Sequence, residues 1–145
     1  MDDPLKVLQA MPILVELWLY DGYTGKQLRI ERGGFQKLKN LGLRSLTGLN
    51  RLMINEGALP LLDQFDIGPC PDSFLVTGIH HLKSLKIVDF FDMPAKFILS
   101  PQPNEDPDFG QVKHIPSVTF LYRVRGEYYK SYKLGDSKLL ERQQS

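Results

Sequence analysis

One cysteine, Cys70, is all that 145 residues contain, so no disulfide framework can form within the chain. Asn-x-Ser/Thr glycosylation acceptors are absent. No apolar run approaches the ~18 residues that a membrane-spanning helix requires. Charge is nearly balanced, with 18 Lys and Arg against 17 Asp and Glu. That balance offers neither a global basic field for nucleic acid nor the acidic excess of a disordered chain. The opening Met1-Asp2-Asp3-Pro4 is acidic where a signal peptide is basic. These absences lead us to expect a reducing, cytoplasmic setting and no membrane span. The length suits one domain with one continuous core.

Catalytic and cofactor signatures are equally scarce. Gly22-Tyr23-Thr24-Gly25-Lys26-Gln27 has the flavour of a phosphate loop, but its glycine spacing is wrong and Gln27 supplies no hydroxyl for magnesium. We read it as a surface turn. His80, His81 and His114 lack a second cysteine or clustered carboxylates to complete a metal set. Adjacent histidines on an extended segment would point to opposite faces. Asp89 and Asp92 flank Phe90-Phe91 without a geometry that favours acid–base work, and no Gly-x-Ser-x-Gly elbow is present. We therefore expect no catalytic residues, no metal and no cofactor.

What the sequence does contain is repetition. The spacing Leu-x-x-Leu-x-Leu occurs at Leu14-Leu17-Leu19, Leu38-Leu41-Leu43, Leu62-Phe65-Ile67 and Leu82-Leu85-Ile87, with a fifth copy at Ile115-Val118-Phe120. The copies start at positions 14, 38, 62, 82 and 115, so the successive steps are 24, 24, 20 and 33. The first three steps match the roughly 20–29-residue period of leucine-rich repeats. The long step accommodates a loop insertion near 100–111, where Pro101, Pro103 and Pro107 surround Glu105, Asp106 and Asp108. The last two apolar residues of each copy are two apart, the period of a strand with one face inward. A single copy cannot bury that face, whereas stacked copies bury it against each other. At 62–70 the copy extends to Cys70, where such repeats place Asn or Cys, and we expect a buried structural thiol.

The predicted architecture is an α/β leucine-rich-repeat solenoid over 1–122. It has a parallel concave sheet of five strands, at 16–20, 40–44, 64–67, 85–89 and 117–121, and short, mostly irregular convex segments. Leu49-x-x-Leu52-x-Ile54 fits the same spacing but starts less than half a step after Leu38, so it reads as the convex side of one coil. Residues 123–145 form a C-terminal cap and tail. Arg123, Arg125, Tyr128, Tyr129, Lys130, Tyr132, Lys133 and Lys138 mix cations with aromatics, which suits either a cap over the last apolar layer or stacking of single-stranded nucleic acid. The cap is the preferred reading, and no nucleic-acid partner is expected.

If the template residues point inward, their neighbours form three rows on the concave face. One runs Glu16, Asn40, Gln64, Ser84, Ser117; the next Trp18, Gly42, Asp66, Lys86, Thr119; the third Tyr20, Arg44, Gly68, Val88, Leu121. Glu16, Trp18, Tyr20, Asn40, Arg44, Gln64, Asp66, Ser84, Lys86 and Thr119 are the candidate protein-binding residues. Trp18 beside Tyr20 and Arg44 has the composition of an interface hot spot, or else it folds against its own neighbours and contributes only shape.

Four stretches resemble the C-terminal repeat region of plant intracellular nucleotide-binding leucine-rich-repeat (NLR) disease-resistance proteins of the coiled-coil class. Leu14–Tyr20 followed by Gly22–Leu28 is similar to the family's strand and its Tyr-x-Gly-x-x-Leu turn. Gly33–Leu41 is similar to its Gly-Gly-Phe-Pro-x-Leu-x-x-Leu, with Gln36 in place of the proline. Glu56–Leu62 leading to Gly68-Pro69-Cys70 resembles its Glu-Gly-Ala-(Leu/Met)-Pro segment and following cysteine, and Lys113–Val118 resembles its C-terminal motif. Residues 71–79 depart from the family's run after the cysteine, being one residue shorter and without its proline. The resemblance implies a non-catalytic sensor and autoregulatory surface acting in plant defence. Its partners would be a pathogen effector or guarded host protein and, in a full-length receptor, the nucleotide-binding domain. The alternative is a stand-alone truncated adaptor or decoy that binds the same partners. No N-terminal cap is visible before the first strand, so Leu5, Leu8 and Met11 are expected at an open apolar edge that makes the isolated chain marginal or self-associating.

Overall fold

The computed structural model describes residues 5–21, 25–71, 73–94, 112, 114–124 and 128–134. The chain is α/β, with a mostly parallel six-stranded sheet, a second parallel sheet of three strands and little helix. Among the described residues one helical turn, α1 (Leu5–Leu8), precedes nine strands: β1 (Glu16–Tyr20), β2 (Gln27–Ile30), β3 (Asn40–Arg44), β4 (Arg51–Ile54), β5 (Gln64–Gly68), β6 (Leu75–Thr77), β7 (Ile87–Phe91), β8 (Ser117–Val124) and β9 (Tyr128–Lys133). The strand order is β1-β3-β5-β7-β8-β9 in the larger sheet and β2-β4-β6 in the smaller. From β1 to β6 the chain alternates between the two sheets, and all pairings are parallel except β8 with β9.

The inward template residues line up across the larger sheet. Leu41 pairs with Phe65 and Phe65 with Val88, while Leu43 pairs with Ile67 and Ile67 with Phe90. Phe90 then pairs with Phe120 and stacks on it, ring centroids 5.1 Å apart. Leu28, Ile30, Leu52, Ile54 and Val76 from the smaller sheet join the same buried cluster. The connections repeat as faithfully as the strands. Positive backbone φ recurs at Asp21 and Ser45, at Gly33 and Gly57, and at Phe35 and Leu59, each pair separated by the same step that separates Leu14 from Leu38. Leu38, Leu62 and Leu85 each donate a backbone N–H to the carbonyl three residues earlier, which fixes the turn before the strand.

Strand register corrects the fourth strand. It runs Ile87–Phe91, not 85–89, and Gln64 pairs with Ile87. Two frames overlap here, one from Leu82 and one from Leu85. The second places Val88 and Phe90 inside and leaves Ile87 39% exposed. It wins because Phe90 fills the space between Ile67 and Phe120, which Ile87 would underfill. The starts are then 62, 85 and 115, so the step that looked short falls only one residue short of the first two, matching the one residue by which the run at 71–79 is shorter. Lys86 and Ile87 donate to the Asp63 carbonyl just as Asp63 and Gln64 donate to that of Lys39.

A second correction concerns the far side. The returns expected to be mostly irregular carry the regular parallel strands β2, β4 and β6, with Leu28 on Leu52 and Leu52 on Val76. Leu49-x-x-Leu52-x-Ile54 matches the strand template because it enters a strand of its own. At the other end, β8 runs through the boundary placed at 122. The insertion near 100–111, Met1–Pro4, Gly22–Thr24, Arg125 and Lys138 lie outside the described residues.

The N-terminal edge is half covered. Gln9 places its side chain against β2, accepting from the Glu31 N–H at 2.7 Å and donating to the Arg29 carbonyl at 3.0 Å. One amide thus satisfies edge groups of the smaller sheet, and nearby Leu5 is fully buried. Met11, expected with Leu5 at an open edge, is exposed. At the edge of the larger sheet, β1 has no buried residue, and Leu17 and Leu19 are only half-buried.

Candidate functional site

The outer face of the six-stranded sheet is built by strand alternation from the residues between the buried ones. Registers place Glu16, Asn40, Gln64, Ile87 and Ser117 in one row, and Trp18, Gly42, Asp66, Asp89, Thr119 and Lys133 in the next. Tyr20, Arg44 and Gly68 follow, with Phe91, Leu121 and Ser131 at the other end. Eight of the ten residues singled out from the sequence therefore share this face. Ser84 and Lys86 do not, because the fourth strand starts later; Ile87 and Asp89 take their places, and Val88 is in the core. The Ser84 hydroxyl lies 2.9 Å from the Leu62 carbonyl and 3.1 Å from that of Pro60, within a turn.

Trp18 does not stand free. Its indole N–H donates to Glu16 Oε1 at 2.7 Å, and its six-membered ring lies over Gly42, where a Cβ would overlap it. It remains 38% exposed, so the ring is both packed and presented.

The centre of the face is acidic and largely dry. Asp66 and Asp89 are opposite residues of β5 and β7 and hydrogen-bond each other. Burial raises the pKa of Asp66, against the lowering influence of the Gln64 amide, the Arg44 charge and Asp89. Burial also raises Asp89, reinforced by the charge and hydrogen bond of Asp66 and opposed by Lys133. Burial of the pair therefore favours a shared proton between the two carboxyls. Lys133 sits beyond them, donating to Ser117 Oγ at 2.9 Å and Thr119 Oγ1 at 3.1 Å.

At one margin of the face two arginines converge. Arg44 Nε donates to the Gly68 carbonyl at 3.0 Å, and its guanidinium lies 3.6 Å above the Phe91 ring centroid. Arg44 Nη2 and Arg123 Nη2 both reach the Tyr129 hydroxyl, at 3.4 and 3.2 Å. Tyr129 packs edge-on against Phe91, ring centroids 5.3 Å apart. Arg44, Arg123 and Tyr129, with Ser45, Pro69 and Asp92, line a cavity of about 330 Å³. Sequence reasoning placed Tyr129 and Arg123 in the tail and missed their meeting with Arg44. Only the antiparallel return of β9 brings them together, and no spacing signalled it.

The histidines and the cysteine lie elsewhere. His80 and His81 occupy a 3₁₀ turn with ring centroids 4.0 Å apart, so the expectation of opposite faces on an extended segment does not hold. His114 Nε2 lies 3.0 Å from the Leu82 carbonyl. Among the described residues, no three His, Cys, Asp or Glu side chains cluster as metal ligands would. Cys70 packs against the core, and burial pushes its thiol up to about 12, away from a reactive thiolate. Among the described residues no helix is long and apolar enough to cross a membrane.

No family model matches the chain, and no solved structure matches it. Several proteins of Arabidopsis thaliana do. The disease susceptibility protein LOV1 is 31% identical over 121 residues, 83% of this chain and 13% of that protein. The probable disease resistance protein RF45 is 33% identical over 127 residues, 84% of this chain and 12% of its own length. The disease resistance protein RPM1 is 29% identical over 126 residues, 86% of this chain and 14% of its own. The chain thus spans about an eighth of the length of these relatives, and over most of its own length it is related to plant disease-resistance proteins.

Proposed function

We propose that the chain is a non-catalytic, protein-binding leucine-rich-repeat module from a plant immune receptor of the NLR type, working as part of its sensor and autoregulatory surface. The observation that carries the reading is the outer face of the larger sheet. Its in-register rows present polar, charged and aromatic side chains, while the template residues beneath form the core. Rigid strands that hold side chains in fixed rows suit recognition. The regular recurrence of strands, turns and positive-φ positions supports the repeat assignment. The names of the relatives support a defence setting.

In this reading β9 closes the repeat. Tyr132 is buried edge-on against Tyr122, ring centroids 6.1 Å apart, and Tyr129 packs on Phe91. Rings engaged in this way favour a cap over a platform for stacked bases.

Site-specific photo-crosslinking in plant tissue tests the proposal. A crosslinker at Asn40 or Gln64 on the outer face should capture discrete protein partners that one at Arg29 or Arg51 on the smaller sheet does not. Equal capture from both sheets, or none from the outer face, overturns it.

A further inference from the structure

We propose that the cavity between Arg44 and Arg123 receives the side-chain carboxylate of an aspartate or glutamate on a protein partner. The inference deepens the protein-binding reading above and rests on it. Arg44 ends β3, Asp92 follows β7, Arg123 lies on β8 and Tyr129 on β9, so the cavity sits where four segments of the larger sheet meet its margin.

Two guanidinium groups converge here on one neutral oxygen. Among the described residues the guanidinium of Arg44 contacts the Gly68 carbonyl, the Phe91 ring and the Tyr129 hydroxyl, and that of Arg123 contacts Tyr129. None of these partners is a carboxylate. Two cations brought to the same neutral oxygen repel each other, and a hydroxyl cancels neither charge. Asp92 supplies one carboxylate to the cavity, and its Oδ1 accepts the backbone N–H of Arg123 at 2.9 Å. Asp66 also acts on Arg44 through its charge, from the next row of the face.

The donors are set in advance. Nε of Arg44 is held by Gly68 and its plane by Phe91, leaving Nη1–H groups of a rigid fork for an incoming anion. Tyr129 accepts from both arginines, so its own O–H is left to donate. Gly68, whose carbonyl holds Arg44, has a φ of 123°, and a Cβ there would strike the Phe91 backbone. A cavity of about 330 Å³ admits an acidic side chain with some water and is small for a nucleotide.

The test follows the arginine Nε–H resonances of the ¹⁵N-labelled full chain by NMR at constant ionic strength. Probes are N-acetyl-glutamate methylamide, its glutamine counterpart and inorganic phosphate. The glutamate probe should shift Arg44 and Arg123 together and saturably, with a midpoint in the millimolar range, while the glutamine probe should not. Arg123→Gln, at an exposed position, should weaken the response about tenfold with an unchanged circular dichroism spectrum, and Tyr129→Phe should weaken it by a few-fold. Shifts that do not saturate, that phosphate produces at lower concentration, or that survive Arg123→Gln overturn the proposal. If the glutamate probe binds but outer-face crosslinking captures nothing, the protein-binding reading fails and the anion site stands. The reverse pattern removes the anion site alone.

Discussion

The ring of Trp18 rests on Gly42, its register partner in the neighbouring strand, and takes the volume that any larger residue there would need. Glycine at the centre of a strand ordinarily weakens it. Here it gives an edge-strand tryptophan a floor, so the ring is presented to solvent in one orientation. Trp18 is the sole tryptophan of the chain, which makes this contact directly readable. Gly42→Ala should lift the indole into water. The expected result is a red-shifted emission maximum and greater quenching by iodide, with a loss of about 1–2 kcal/mol in stability. Emission unchanged from the wild type would contradict the packing.

Gln9 should prove a structural residue despite its polar character. Gln9→Ala leaves the Glu31 N–H and the Arg29 carbonyl without their side-chain partner at the edge of the smaller sheet. A cost of about 1–3 kcal/mol in urea unfolding is expected, with faster amide exchange at Glu31. A variant as stable as the wild type would show that water replaces the amide at no cost.

The Asp66–Asp89 pair makes stability depend on pH. Both carboxyls have raised pKa values in the folded chain, so the folded state holds protons that the unfolded state releases. Stability attributable to the pair is therefore fully present below the ordinary carboxylate range and is lost as pH rises through the raised values. Asp89→Asn mimics the protonated partner. It should raise the melting temperature at neutral pH, with the advantage shrinking as pH falls toward the ordinary carboxylate range. An advantage that grows toward low pH would contradict the assignment.

The repeat was legible in the sequence because apolar spacing reports directly which strand face is buried. Leu41, Leu43, Phe65 and Ile67 needed nothing else. The fourth strand was not legible from spacing alone, since Leu82 and Leu85 each start a valid frame. The choice between them depends on how Phe90 stacks with Phe120, a contact across the long insertion. The smaller sheet was half visible: Leu52 and Ile54 read as the convex side of a coil, but only pairing of Leu52 with Leu28 and Val76, and of Ile54 with Ile30, makes them a strand. The meeting of Arg44 with Arg123 and Tyr129 was invisible, because an antiparallel return leaves no periodic trace.

Core and face should separate cleanly under mutation. Leu41 is 1% exposed, and Leu41→Asp places an unpaired charge in the core that Leu38, Leu43 and Phe65 share. A loss on the order of 3–5 kcal/mol is expected, enough to unfold the chain by circular dichroism. A folded Leu41→Asp chain would contradict the buried assignment.

The most direct measurement of the central claim is the affinity of a partner captured at the outer face, titrated against the wild type, Trp18→Ala and Arg44→Glu. All three should share a far-ultraviolet circular dichroism spectrum. The account predicts a loss of at least ~1–2 kcal/mol in binding for the tryptophan change and a clear loss for the charge reversal. Unchanged affinity in both variants, with the fold intact, would show that this end of the face is not where partners bind.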